Sequence, residues 1–265
     1  MLAELFKISR CSLYYQGTQE QKDLEFASQV VQVLDQNPCY GTGRLSIAMS
    51  VSENKVRRIK QKFNLYPVQS KRKPKKRRDS QQIEALYPNL VKDLVVLNPR
   101  TVYASDFTYI RFGSKFIYLA TVLDLHTREI VGWSIGSRHT ANLIKRALVD
   151  AITRTGAVPQ IIHSDQGSEY KSKMYTSFVQ ASDIKISMSS KSSPWQNGFQ
   201  ESYYCGFKED LGSISKITDL GVLIEKIHQT INYYNKTRIH TALRMSPHNF
   251  YRQHQAKQQE LLKVG

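Results

Sequence analysis

The feature that most constrains this 265-residue chain is a switch of hydrophobic period near residue 89. Up to residue 66 apolar side chains recur at helical spacing in four short stretches: LAELFKIS, residues 24–34, GRLSIAM and NKVRRIKQKF. Beyond the switch come three β-branched and aromatic runs, TVYASDFTYIRF, KFIYLATVLDL and REIVGWSIG, with Gly113-Ser114 in the first gap. Runs of this kind separated only by turn-sized gaps predict an antiparallel meander. The period then alternates: a helix over 141–153, the strand QIIHSD, a helix over 171–181, the strand IKISMS, and long helices over 195–211 and 219–235.

Three antiparallel strands followed by α-β-α-β-α is the element order of the ribonuclease H-like fold, an α/β class. The expected organisation is a helical region over 1–70, a linker over 71–88, the catalytic core over 89–252 and a tail over 253–265. The linker contains Lys71-Arg72-Lys73-Pro74-Lys75-Lys76-Arg77-Arg78, seven cations in eight residues. Such a run cannot bury itself, so it is expected to be extended, either gripping phosphates without reading sequence or serving as a plain solvated tether. In the helical region Ser50-Val51-Ser52-Glu53 joins two helices, and the second carries Lys55, Arg57, Arg58, Lys60 and Lys62 around Val56, Ile59 and Phe63. That outline fits a helix-turn-helix with its second helix in a DNA groove, and equally a small bundle with a solvated basic face.

The net charge of +16 favours a polyanionic partner. An apolar run of membrane-spanning length and a signal peptide are both lacking in the sequence, so a soluble, cytoplasmic protein is expected. Cys11, Cys39 and Cys205 are scattered, which predicts reduced thiols and no zinc site.

Three carboxylates stand out. Asp106 interrupts the first strand on the face shared with Ala104 and Thr108. A carboxylate buried there needs a cation, a hydrogen-bond donor or a metal. Asp165 ends the strand after Ile161-Ile162 and precedes the turn Gln166-Gly167-Ser168, the kind of strand end at which α/β sheets bind ligands. Glu201 sits on a helix with Tyr204, Cys205 and Lys208 at positions that share its face. The 35 residues between Asp165 and Glu201 carry little weight alone, because Asp93/Glu129, Glu129/Asp165 and Asp183/Asp219 have the same separation. Context distinguishes the pair: the HSDQGSEY turn, the polar PWQNG approach, and Lys208 two turns beyond Glu201.

ASDFTYI, HSDQGSEY and QNGFQESYYCGFKED, closed by YYNKTRIHTALRMSPHNF, resemble the catalytic core shared by retroviral integrases and transposases of insertion sequence family three. The resemblance runs from residue 40 to residue 250, where YGTGR is similar to the start of that family's helix-turn-helix. Ser105 stands where Thr is commoner, Glu169 where Gln is usual, and Pro194-Trp195-Gln196-Asn197-Gly198 replaces a more typical Asp-Asn-Ala. The resemblance implies a DDE transposase: a polynucleotidyl transferase in which Asp106, Asp165 and Glu201 bind two Mg²⁺ or Mn²⁺ ions, Asp106 bridging both. Hydrolysis would expose a 3′ hydroxyl at an element end, and that hydroxyl would then attack another phosphodiester. The zinc-binding region of retroviral integrases is absent.

Implied partners are double-stranded DNA at element ends and target, further copies of the chain on that DNA, and the product of an upstream reading frame, fused or separate. Lys191 and Lys208 are expected at DNA phosphates. Asn197 and Gln196 would touch DNA or cap the Glu201 helix. His163 would lie just behind the acids or serve as a hydrogen-bonded structural histidine, and Asp124 would be a turn residue. Arg57, Arg58 and Lys60 on the helix, with Arg72, Lys73, Lys75, Lys76, Arg77 and Arg78 in the linker, complete the expected DNA contacts. The competing readings are a DNA-binding regulator without activity and a plain ribonuclease H; retention of all three acids argues against the first, and the closing motif against the second.

Overall fold

The computed structural model describes residues 7, 18–68, 86–189 and 198–264. The chain divides into two compact units, Met1–Gln69 and Ser70–Gly265. Apart from Lys7, the first stretch expected to be helical lies outside the described residues, as does the linker up to residue 85.

In the first unit, helices α1 (Gln19–Gln36), α2 (Thr42–Ala48) and α3 (Glu53–Lys62) pack Phe26, Val30, Leu45, Val56 and Ile59 against one another. The turn expected between α2 and α3 is present, and Ser52 caps α3 by accepting a hydrogen bond from the Lys55 amide. A buried carboxylate organises the outer face: Asp23 accepts both guanidinium nitrogens of Arg58, at 2.6 and 2.7 Å, and the Lys62 ammonium at 2.9 Å. The hydrogen bonds from Arg58 and then Lys62 hold the Asp23 carboxyl far below its ordinary range.

The second unit is a five-stranded sheet in the order β3-β2-β1-β4-β5. β1 (Val102–Phe112), β2 (Lys115–Asp124) and β3 (Ile130–Gly136) form the antiparallel meander, while β4 (Ile161–Ser164) and β5 (Lys185–Met188) extend it in parallel. α4 (Ala141–Thr155) and α6 (Lys173–Ala181) cover one face, with the single turn α5 (Ser168–Lys171) preceding α6. α7 (Gly198–Leu211) and α8 (Leu220–Lys236) cover the other. The element order is the expected one, and both faces are covered because parallel strands leave no face for water. α9 (Pro247–Val264) is one continuous helix that runs through the expected boundary at residue 252. Among the described residues no helix is long and apolar enough to cross a membrane, and Cys39 and Cys205 are unbridged.

Two contacts fix the covering helices. α4 lies so close to β3 that a Cβ on Gly132 would stand 2.4 Å from the Ala151 amide nitrogen and 2.5 Å from the Ala147 carbonyl oxygen. On the opposite face Asn235 of α8 accepts from the Ile130 amide at 2.9 Å and donates to the Ile130 carbonyl at 2.8 Å, copying a strand partner at the start of β3. Gly132→Ala should therefore drive α4 off the sheet and destabilise the protein by roughly 1–3 kcal/mol, measured by denaturant unfolding. An unchanged midpoint would show that the helix can retreat without loss.

Candidate active site

The parallel pairing of β1 with β4 sets Ala104 beside His163. Continued two residues, the same register brings Asp106 opposite Asp165. Ala104 belongs to the apolar layer beneath α7 and α8, so strand alternation turns Asp106 toward α7 as well. Asp106 is half-buried and its Oδ1 accepts the Phe107 amide at 2.8 Å. Asp165 stands just past β4, with Oδ1 accepting the Gly167 amide at 2.9 Å. A Cβ on Gly167 would come within 3.1 Å of both Asp165 Oδ1 and Glu169 Oε2, so glycine is what lets the two carboxylates close around the turn. Glu201 occupies the first turn of α7 and is partly exposed.

Electrostatics ties the three acids together. Burial, then the charge of Asp165 and more weakly that of Glu201, push the Asp106 carboxyl up to about 7 against the lowering effect of the Phe107 amide. Burial also raises Asp165; the Gly167 hydrogen bond and Lys171 oppose the rise and Glu169 adds to it. Among the described residues no three His, Cys, Asp or Glu side chains close into a ligating cluster. The acids form an open constellation coupled through its field, and their hard oxygen donors are the type that Mg²⁺ and Mn²⁺ prefer.

Two residues seat the Glu201 helix: Gln200, which the sequence did not single out, and Tyr204, which it placed only on the face of Glu201. Gln200 is fully buried, its Nε2 donating to the Ala104 carbonyl at 2.7 Å and its Oε1 accepting from Thr121 Oγ1 at 3.1 Å. One turn on, the Tyr204 hydroxyl donates to the carbonyl of Asp106 itself at 2.7 Å. Their spacing of four, beside an acid in an otherwise apolar helix face, was the available signal. Further along α7, Gly206 makes room for Arg238, whose Nη2 would stand 2.7 Å from a Cβ there, and Arg238 pairs with Asp210 at 2.6 Å. Arg238 is thus a packing residue.

Glu169 and His139 form a second pair that the sequence did not disclose. Burial acts to raise the Glu169 carboxyl, but hydrogen bonds from His139 and Ser168 hold it below its ordinary value. The His139 ring lies flat against Phe107, the residue whose amide holds Asp106, at 5.8 Å between ring centres. The loop between β3 and α4 is thereby fastened beside both aspartates.

His163 is buried and its Nδ1 meets Ser187 Oγ at 2.9 Å. Lys208 holds its ammonium 5.0 Å above the Tyr109 ring, and burial lowers its pKa. Asp124 ends β2 as a turn residue, accepting the His126, Thr127 and Arg100 amides. Of the expected DNA contacts on α3, Lys60 is buried at 8% exposure with Thr42 Oγ1 3.4 Å away, and Arg58 is exposed and pairs with Asp23. Arg57 keeps an exposed side chain beside Asn54 and Glu53. Lys191, Gln196, Asn197 and the linker cations Arg72, Lys73, Lys75, Lys76, Arg77 and Arg78 lie outside the described residues.

The raised Asp106 pKa has a definite sign. The folded protein binds this proton more tightly than the unfolded chain, so the associated stability is full below pH 4 and is lost as pH rises through about 7. Asp106→Asn should unfold at a higher temperature than the metal-free parent at pH 8 and show a flatter pH dependence; a lower melting temperature at pH 8 would contradict the electrostatic account. Tyr204→Phe leaves the Asp106 carbonyl short of a donor and should cost about 1–3 kcal/mol. Faster amide exchange within α7 is its expected signature, and unchanged exchange would show that Gln200 suffices.

Two family profiles described as Integrase core domain match residues 97–194 and 182–247, together more than half of the chain. The transposase for insertion sequence element IS904 of Lactococcus lactis is 33% identical over 159 residues, which cover 59% of this chain and 63% of that protein. Transposase InsF for insertion sequence IS3A of Escherichia coli is 34% identical over 120 residues, 45% of this chain and 42% of that one. The insertion element IS600 uncharacterized 31 kDa protein of Shigella sonnei is 27% identical over 256 residues, 91% of this chain and 94% of the relative. A chain in the cryoEM structure of the simian T-cell lymphotropic virus intasome in complex with PP2A regulatory subunit B56 gamma shares the fold, with a TM-score of 0.53 at 16% identity over 84% of this chain and 74% of its own. Residues 97–247 of the chain thus carry integrase core domains, and the chain is similar to transposases of insertion sequences.

Proposed function

We propose that this chain is a DDE transposase, a divalent-metal-dependent polynucleotidyl transferase that cleaves and joins DNA strands during transposition of an insertion sequence. The observation that carries the reading is the site of Asp106: a half-buried carboxyl opposite Asp165 in register and in the field of Glu201, pushed up to about 7. Perturbed acids gathered at a strand end mark a reactive site. Two divalent cations held by Asp106, Asp165 and Glu201 would supply Lewis acidity and charge neutralisation for the transferring phosphate.

The chain's own residues do the rest. Gln200 and Tyr204 keep the Glu201 helix pressed to β1, and the Gly167 amide and the Glu169–His139 pair hold the Asp165 turn. Lys208 sits two turns beyond Glu201 on the same helix, placed to meet a phosphate of the bound strand. Double-stranded DNA at element ends and target, other copies of the chain, and an upstream reading-frame product are the partners this reading proposes. Arg57 and the linker cations are the proposed backbone contacts outside the core, Lys191 and Asn197 those beside it, and His163 backs the acids from the strand.

With Mg²⁺ or Mn²⁺ and element-end DNA, the parent protein should cut and join strands, whereas Asp165→Asn and Glu201→Gln should lose joining while still binding DNA. Equal joining by these variants would sink the assignment, and cleavage confined to RNA in hybrids would favour a ribonuclease H.

A further inference from the structure

A cavity of about 500 Å³ lies along the sheet face directly behind the acids. Its floor includes Ala104 and His163, each two positions before a catalytic aspartate on its own strand. The Val91–Val96 segment forms one wall, the turn after β2 contributes His126 and Arg128, and Phe199 stands at the start of α7. The volume falls in the range of small-ligand sites, and apolar walls with a few aimed polar groups are the usual composition of one.

The polar groups have a definite chemistry. Arg128 lies with its guanidinium carbon 3.6 Å from the Phe199 ring centre, and among the described residues its buried Nη1 meets no hydrogen-bond acceptor. A guanidinium nitrogen buried without an acceptor is costly, and a phosphate or carboxylate oxygen is its natural partner. Its backbone is held at φ 62, a conformation that non-glycine residues avoid, by a turn built on the buried Asp124 and by the Tyr234 hydroxyl donating to the Arg128 carbonyl. Lys92 adds a second cation on an exposed part of the wall. His126 contributes the opposite character. Its Nδ1 contacts the Val96 carbonyl at 2.9 Å, and a carbonyl can only accept, so in the neutral ring Nδ1 carries the hydrogen and Nε2 is an acceptor. That Nε2 is buried and meets no donor among the described residues.

An anion-binding guanidinium, an apolar wall with an aromatic ring, and a lone acceptor together match a nucleotide: phosphate on Arg128 and Lys92, base against the wall, and a base N–H toward His126. We propose that this cavity receives one unpaired nucleotide of the DNA strand whose neighbouring phosphodiester lies at Asp106 and Asp165. The inference rests on the strand-transfer reading for the identity of that strand. Enzymes that do chemistry on a base draw its nucleotide out of the stack and hold it between apolar side chains, and proteins that bind single strands stack bases on aromatic rings. Here the pocket and the acids share one sheet face, so a strand held at one is within reach of the other.

The test is direct binding to the full chain without metal. Thymidine 5′-monophosphate should bind saturably, and thymidine and inorganic phosphate each far more weakly. Arg128→Gln removes a buried charge-assisted contact and should weaken the nucleotide about ten-fold. Lys92→Glu, at a side chain that is exposed, should weaken it by a smaller factor at an unchanged melting temperature. A single-stranded oligothymidylate of five nucleotides should displace the mononucleotide. Absence of saturable binding, equal binding by both variants, or failure of the oligonucleotide to compete would each overturn the proposal, the last by assigning the cavity to a free nucleotide. The joining assay is separate: a protein that joins DNA but does not bind the nucleotide refutes only the pocket, and one that binds the nucleotide but does not join refutes only the strand-transfer reading.

Discussion

Everything at the centre of this protein depends on keeping like charges together where water is scarce. Asp106 and Asp165 would separate or neutralise if their strands were free, and Asp106 already sits at the edge of neutralisation with its carboxyl pushed to about 7. The sheet resists because its central register is fixed from both sides. β2 pairs with β1 along ten residue pairs from Tyr103 to Phe112, β4 pairs across three more, and each face is packed under helices. The like-charge cost is thus borne by the whole core, as is usual where function needs a destabilised site.

Polar latches then decide where the helices stand. Gln200 and Tyr204 tie α7 to the backbone of the strand that carries Asp106, so Glu201 is located relative to the acid it must complement. Asn235 does the same for α8 against β3. Each latch is buried and satisfied, the condition under which a polar group in a core specifies one arrangement. The turn after β2 joins these systems: Asp124 shapes it, Tyr234 of α8 grips it, and Arg128 reaches from it to Phe199 at the head of α7.

Much of this was legible in the sequence because the period of hydrophobic residues changes where the structure does. All five strands and the core helices α4, α6, α7 and α8 fall where the alternation put them, since a half-buried strand or helix shows its buried face in its spacing. The acids were readable by context: Asp106 is a charge inside a strand, and Asp165 precedes a turn. Long-range polar pairing was not. Gln200 with Ala104 and His139 with Glu169 are 96 and 30 residues apart, and nothing local marks either partner. The helix past residue 252 was unread because its exposed sequence has little apolar face to display. Basic composition at α3 did not disclose that Lys60 is buried or that Arg58 and Lys62 meet Asp23, a partner some 35 residues earlier.

The pairing on α3 has a consequence for how the amino-terminal unit would meet a polyanion. Of the five cations on α3, Arg58 and Lys62 share the single negative charge of Asp23, Lys60 is buried, and Lys55 rests over the Phe26 ring. Counterion release scales with the phosphates a protein neutralises, not with the cations in its sequence. The helix would therefore bring a shallower salt dependence than five free cations would, and fit in a groove would carry a larger share of its contribution.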